Sequence, residues 1–442
     1  MSALPSAINY QEGLAVLPEN TQNFNIACVP VSGGSFGASS QIQVDLGNRG
    51  FLDPASLLIR YKITYVSNAA AATNCQVVGT PAYTPFLRFE TLVNSNTVET
   101  INNYNSVCNM LTNIQLGISE KYGMQSALGY ENYAAAPYSM ENLDGGTIDA
   151  TTVQVINGVN QTAGTFVRYY SAPLIGLLAG SEKLIPLFLL NNIRLQFTCD
   201  TLANIQSAKA ANALITNYTI SNFEVCYNMV DFGNEVEREI IAMNPKVRIK
   251  SQSYSTGTQS IGLGANGSVN LVYNQRYASV KSAYLNCGGN DATISYNRMF
   301  DAYDVTSGNG DYQFQIGSIN YPQKSLSTFN NRSGILQELR RSMNTIFGKN
   351  VSMSINTLEY ASVSATQTTP VVPAKFWVGV CLQKLTIPQK AFFTGVSTQN
   401  SPITVIINIG TATAQIHTAM LILNYDAIIE IDTSTKQCVL IQ

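Results

Sequence analysis

Leu58-Ile59-Arg60-Tyr61-Lys62-Ile63-Thr64-Tyr65 puts a large apolar residue at every second position, with Arg60, Lys62 and Thr64 between. A repeat of two belongs to a β-strand with one buried face; a helix would repeat at i, i+3 and i+4. Upstream, Ile42, Val44 and Leu46 alternate with Gln41, Gln43 and Asp45, and Gly47-Asn48-Arg49-Gly50 supplies turn chemistry between the two strands. Downstream, Leu92-Val93-Asn94-Ser95-Asn96-Thr97-Val98 reads as a hairpin. Further strands are expected over 193–197, 220–229, 269–273, 280–285, 312–316, 351–358, 376–382, 403–409 and 420–431. No strand–helix alternation repeats along the chain, which excludes a parallel α/β fold. The chain reads as all-β.

Two stretches depart from this pattern. Tyr104, Val107, Cys108, Leu111 and Ile114 follow helical spacing. Ile335, Leu336, Leu339, Met343, Ile346 and Phe347 do the same, after a candidate cap at Ser333. Helices are therefore expected over 104–116 and 333–347, each laying one apolar stripe on a sheet edge. They lie half a chain apart, with similar strand text before each, so the order of elements occurs twice. The densest charge run, Asp231-Phe-Gly-Asn-Glu235-Val-Glu237-Arg-Glu239, precedes Pro245 and reads as a solvated connector. Two β domains are expected, 26–235 and 246–442, with a linker at 236–245. Pro5, Gly13 and Pro18 break any regular element in residues 1–25, which read as an N-terminal arm that orders on a neighbour. Residues 119–170 read as a long elaborated loop.

The 442 residues carry a formal net charge of −2, against the strongly basic surface of a nucleic-acid binder. Charged residues make up 12%, where about 25% is ordinary. Apolar residues reach 45%, which excludes a disordered chain. Ser, Thr, Asn and Gln fill roughly a third of the sequence. A surface poor in charge and rich in neutral polar groups fits extensive interfaces or an extracellular β protein. No signal peptide is visible, and no apolar run approaches the ~20 residues of a membrane span.

Chemistry has few candidates. One histidine, His417, stands in strand text, so no His₂ or His₃ metal site can form in one subunit. The eight cysteines, Cys28, Cys75, Cys108, Cys199, Cys226, Cys287, Cys381 and Cys438, contain no CxxC pair and read as reduced thiols within strands. Glu235/Glu237 and Asp426/Glu430/Asp432 are carboxylate groups that could in principle do acid–base work. The first reads as connector and the second as the outer face of a terminal strand. Gly262-Leu-Gly264-Ala-Asn-Gly267 mimics a phosphate loop but lacks the following Lys and helix, and reads as a turn. The triplets at Asn160 and Asn217 arise by chance in a chain this rich in Asn and Thr. No catalytic, cofactor-binding or metal-binding residue is assigned, no cofactor is expected, and the chain is not read as an enzyme.

Several passages, in order, resemble one family. They are Gly50-Phe51-Leu52-Asp53-Pro54 before Leu58–Lys62, Glu99-Thr-Ile101-Asn-Asn-Tyr104-Asn105 before Asn109-Met110-Leu111, and Pro173-Leu-Ile-Gly176-Leu with Ile185-Pro186-Leu187 before Asn192-Ile-Arg-Leu195. In the second half they are Tyr312-Gln-Phe314-Gln-Ile316-Gly317-Ser318-Ile319-Asn-Tyr321-Pro322-Gln323, Gly395–Pro402 and Asn424-Tyr425-Asp426. Together they resemble the double jelly-roll major capsid proteins of the adenovirus and tailless-phage lineage, most of all those of Polinton-like viruses and virophages. The resemblance implies two consecutive eight-stranded antiparallel jelly rolls, each with a short helix. It implies the major capsid protein of an icosahedral double-stranded DNA virus, assembled in the host cell and residing in the virion. Its partners would be itself, as homotrimeric pseudo-hexagonal capsomers with trimer–trimer lattice contacts, together with a penton protein and minor capsid proteins. No specific nucleic acid is implied, and an internal membrane is left open. The rival reading is an extracellular carbohydrate-binding or adhesin-type β-sandwich, whose 23 tyrosines would stack on sugars.

Overall fold

The computed structural model describes residues 21–67, 74–77, 79–129, 158–160, 164–190, 192–208, 215–290, 300, 302–329, 331–343, 353–355, 360, 375–385, 392–414 and 416–442. The first half builds eight main strands: β1 (Gln22–Cys28), β2 (Gln41–Asp45), β3 (Leu58–Ser67), β4 (Phe86–Val93), β5 (Asn96–Asn102), β6 (Gly164–Pro173), β7 (Ile193–Cys199) and β8 (Ile215–Asp231). They pair antiparallel as β1-β8-β3-β6 and β2-β7-β4-β5. Two short pieces, Ser35–Phe36 and Phe51–Leu52, also pair with β8. Helix α1 (Tyr104–Gln115) follows the fifth strand.

The second half repeats the scheme. Its strands are β9 (Lys246–Ile261), β10 (Gly267–Tyr273), β11 (Val280–Asn290), β12 (Gly310–Ile316), β13 (Ile319–Ser327), β14 (Val378–Cys381), β15 (Ile403–Ile409) and β16 (Ile416–Asp432). They pair as β9-β16-β11-β14 and β10-β15-β12-β13. In each half the first strand lies beside the eighth and the second beside the seventh, which is the jelly-roll order. The expected fold, two consecutive jelly rolls, is therefore present. The second helix again follows the fifth strand; among the described residues it spans Arg332–Ser342. Helix α2 (Asn234–Met243) joins the halves and buries none of its residues. The charge run thus folds as a helix rather than an irregular linker.

The alternation read from sequence is what packs. Along β7, Ile193, Leu195, Phe197 and Cys199 are buried while Arg194, Gln196 and Thr198 are half-buried. Between β4 and β5, Asn94 (φ 52°) and Ser95 (φ 66°) both take the left-handed conformation of a two-residue hairpin turn. In the first sandwich Tyr61, Phe86, Phe89, Phe197 and Phe223 interlock, with Phe86 and Phe197 centroids 5.3 Å apart.

Some expectations need correction. Gln22–Asn25, assigned to the arm, are the first half of β1 and pair with Asn228–Asp231; residues 1–20 lie outside the described set. Within 351–358, the described residues 353–355 form no strand, because the Ser354 N–H and hydroxyl are both taken by the Asn113 carbonyl at the end of α1. The loop expected over 119–170 includes short helices at Ile118–Gly123 and Gln125–Leu128 and most of β6. The second helix begins at Arg332, so Ser333 lies inside it, and Asn331 before it makes no side-chain cap. Its expected continuation at 346 and 347 lies outside the described residues. Finally, α1 is not striped: every residue from Tyr104 to Ile114 is buried.

Candidate functional site

The residues singled out in the sequence do not converge. His417 is 5% exposed on β16, opposite Ile261 on one side and Gly289 on the other. Burial pushes its pKa down to about 4, only partly opposed by a hydrogen bond to the Gly288 backbone. Glu235 and Glu237 ride on the exposed helix α2. Asp426, Glu430 and Asp432 share one face of β16, but Asp426 is not on an outer surface. It is 4% exposed, accepts a 2.7 Å hydrogen bond from the Ser279 hydroxyl, and stands 3.7 Å from Lys281 Nζ. The same Ser279 hydroxyl accepts from the Gly395 N–H, next to the Val396–Val280 bridge. Glu430 accepts from Lys246 Nζ at 2.6 Å and Arg248 Nε at 2.7 Å, which lowers its pKa. Asp432 instead ties the turn after β16 through the N–H groups of Ser434 and Thr435.

Gly262–Gly267 is the turn between β9 and β10, held by Thr413, whose hydroxyl donates to the Gly262 carbonyl and accepts from Ala265 N–H. Trp377 is 1% exposed, so its indole cannot offer a stacking face to a sugar. Seven cysteines carry free thiols, four of them buried; the side chain of Cys75 lies outside the described residues. Among the described residues, no three His, Cys, Asp or Glu side chains gather as a metal site. No helix among them is long and apolar enough to cross a membrane.

What the fold does bring together is a seam between the jelly rolls. Strand β9 of the second lies against β5, α1 and the segment after β6 of the first. The Ser253 hydroxyl donates to the Glu99 carboxylate, the Ser251 hydroxyl to the Leu177 carbonyl, and the Thr256 hydroxyl to the Asn102 carbonyl at 2.9 Å. Glu99, on β5, is 2% exposed and also accepts from Thr91 Oγ1 at 2.9 Å and Leu177 N–H at 2.7 Å. Burial pushes its pKa up to about 7, against the pull of these three donors. Gly176 is required beside it: at φ 153°, a Cβ would come 2.9 Å from the Phe89 ring and 3.1 Å from a Glu99 oxygen. Glu99 was not singled out in the sequence. The available signal is parity, since Glu99 and Ile101 share the inward face of one alternating strand.

Each helix start is fastened by a buried aspartate that sequence reading also missed. Asp200 is fully buried and accepts from Asn105 Nδ2 of α1 at 2.8 Å, Asn204 Nδ2 at 2.9 Å and Thr201 N–H at 2.7 Å. Asp304, 3% exposed, accepts from Arg332 at 3.0 Å, the Tyr312 hydroxyl at 3.1 Å, and the N–H groups of Thr306 and Gly308 at 3.0 Å. Every oxygen of the two carboxylates accepts from at least one protein donor, an arrangement that holds loops.

No protein-family model matches the chain, and no curated protein matches it in sequence. Its likeness lies in solved structures. The Faustovirus major capsid protein superposes with a TM-score of 0.62 at 10% identity, over 95% of this chain and 92% of that one. A chain of the Sputnik virophage, solved by cryo-EM, gives 0.58 at 13% identity over 100% and 92%. The mavirus major capsid protein gives 0.55 at 10% identity over 100% and 95%. At such identities the likeness establishes a shared fold across the whole chain.

Proposed function

We propose that the chain is the major capsid protein of an icosahedral double-stranded DNA virus, working as a homotrimer whose six jelly rolls form a pseudo-hexagonal capsomer. One observation carries the reading: the same eight-strand order, with a helix after the fifth strand, is built twice and matches capsid proteins end to end. The surface supports it, because 12% charge gives little repulsion between copies. Glu99, His417, Asp200, Asp304 and Asp426 serve packing, and no catalytic role is assigned to any of them. The protein would reside in the virion shell, with trimer–trimer lattice contacts and with penton and minor capsid proteins as further partners.

In this reading the domain division is 26–235 and 246–442, refined by β1 to begin the first jelly roll at Gln22. The segment before β1 serves as an arm toward a neighbouring subunit. Light scattering on the purified protein tests the function. A mass of three chains, with hexagonal sheets or shells in electron micrographs, is expected. A protein that stays monomeric at micromolar concentration and forms no lattice would defeat it.

A further inference from the structure

A buried carboxylate is normally held by a cation or by several fixed N–H groups, as Asp304 is by Arg332, Thr306 and Gly308. Glu99 is held differently. It has one fixed donor, the Leu177 N–H, and its other two partners are the Thr91 and Ser253 hydroxyls. Among the described residues no ion pair involves it. A hydroxyl can turn from donor to acceptor, so the same two partners serve an ionised carboxylate and a protonated acid. The donor set suits a group that gains and loses a proton in place.

The group also stands where two bodies meet. Thr91 and Leu177 belong to the first jelly roll and Ser253 to the second, and the Ser253 contact is one of three hydroxyl bonds across the seam. Behind Ser253 a file of hydroxyls leads outward. The Tyr425 hydroxyl lies within reach of Ser253 and Tyr277, and Tyr277 within reach of Ser255, which accepts from Gln275 Nε2 at 2.8 Å. The Tyr277 and Tyr425 rings stack at 3.9 Å, and Tyr277 and Gln275 are half-buried, so the file joins the buried acid to the surface. Three titratable groups face this region: Tyr425 on β16, and Tyr104 and Cys108 on α1, where Tyr104 accepts the Ile175 N–H. The charged neighbours Glu90, Lys250 and Asp426 sit at the opposite parity of β4, β9 and β16, and residues 174–180 carry no titratable side chain. Burial pushes Tyr425, Tyr104 and Cys108 upward, which leaves Glu99 as the group here that changes charge near neutral pH.

We propose that Glu99 is a proton-operated latch between the two jelly rolls. Protonated, it bridges them through Ser253; ionised, it draws water into the seam and releases β9 from β5 and from residues 174–180. The proton leaves along the hydroxyl file to bulk water, so the seam is tight below neutral pH and loosens above it. The latch belongs to the single chain and does not rest on the capsid reading.

Cys108 reports the opening, because its buried thiol lies near Tyr254 of β9. The full chain is alkylated with iodoacetamide, and each cysteine is quantified by peptide mass spectrometry. Comparing wild type with Glu99→Gln, which mimics the neutral acid, at one pH cancels the intrinsic reactivity of the thiol. At about pH 6 the two should label alike, and at about pH 8.5 Cys108 should label about tenfold faster in wild type. Cys199 and Cys287, buried on β7 and β11, should change less. An equal rise at all three thiols would be a general loss of stability and would overturn the latch, as would equal Cys108 rates in wild type and Glu99→Gln at both pH values. Ser253→Ala removes a donor to the ionised form, so the midpoint of its Cys108 profile should lie at higher pH than in wild type. A midpoint that does not move would overturn the latch as well.

Discussion

Helices α1 and α3 (Arg332–Ser342) hold the same place in two jelly rolls of one topology, yet their surroundings differ. Eleven of the twelve residues of α1 are buried, including Asn105, Ser106, Asn109, Thr112 and Asn113. Only Ile335, Leu339 and Ser342 of α3 are buried. The inner faces are alike: Leu339 packs on β14 so closely that a Cβ on Gly379 would stand 2.7 Å from it. The outer faces differ because α1 has the second jelly roll over it. Asn109 reaches the Phe300 carbonyl at 3.4 Å, and Ser354 closes on Asn113. Identical topology therefore does not give identical burial. Position in the chain decides which copy is covered from within and which is left exposed.

The aspartates that fasten the two helices give the largest test. Asp304→Ala removes a buried acceptor from Arg332, Tyr312, Thr306 and Gly308 at once. Breaking a buried ion pair from one side costs about 3–5 kcal/mol. Asp200→Ala lacks a cationic partner and strands neutral donors, at about 1–3 kcal/mol each for the fully buried ones. Denaturant unfolding should rank Asp304→Ala as the more destabilising, and the reverse order would mean that the charge on Arg332 contributes nothing.

Next in size is an opposed pair of pH effects. The Glu99 pKa is raised from 4.5 to about 7 by burial, so its stabilising contribution is full below pH 4.5 and is lost as pH rises through about 7. His417 is lowered from 6.5 to about 4, so its contribution is full above pH 6.5 and is lost as pH falls through about 4. Each shift corresponds to about 3 kcal/mol, and over their common window the two slopes cancel. Relative to wild type, Glu99→Gln should gain about 3 kcal/mol between pH 4.5 and 7.5. His417→Gln should gain a similar amount between pH 7 and 4. Melting temperatures across that range check both, and parallel curves for wild type and a variant would remove that group from the balance.

The strand order was legible because alternation survives wherever a sheet has one wet face. Residues 403–409 fulfil this, with Ile403, Val405, Ile407 and Ile409 buried and matched to Tyr273, Leu271, Val269 and Gly267 of β10. The double jelly roll followed from that text, from the repeated order and from the family resemblance. The seam was not legible. In α1 the polar residues at 105, 106, 109, 112 and 113 look like a solvated face, and only tertiary partners reveal them as buried. Asp426 failed for the same reason: its parity on β16 is that of Glu430, and only its tertiary partners Ser279 and Lys281 mark it as buried. Glu99 lay in text read for its order of elements, where a carboxylate on the inward parity of a strand is the available clue.

Asn109→Ala sharpens the comparison on the covered helix. Its side chain accepts from the Thr80 hydroxyl at 3.2 Å and from Asn113 at 3.1 Å while donating to Phe300, all within the buried interior. Truncation leaves those groups short of a partner, at about 1–3 kcal/mol. A change below 0.5 kcal/mol in denaturant unfolding would mean that water enters the seam and that α1 is less sealed than its packing indicates.

The smallest effect belongs to the matching outward face of α3. Arg341 is exposed, and its guanidinium stands 3.6 Å from Glu338 one turn earlier, with side-chain exposures of 57% and 24%. An ion pair of this kind is screened by water and salt, loses side-chain entropy on forming, and contributes about 0.3–0.5 kcal/mol. Arg341 also lies in the last turn of the helix, where a cation favours the free carbonyl ends, a contribution of about 0.3–1 kcal/mol at low salt that fades as salt is added. Arg341→Ala should therefore shift monomer unfolding by less than about 0.5 kcal/mol at physiological ionic strength, several-fold less than Asn109→Ala. If Arg341→Ala instead costs as much as Asn109→Ala under conditions where the chain is monomeric, the outward face of α3 is supported from within its own chain. The contrast between a helix covered internally and one left exposed would then be lost.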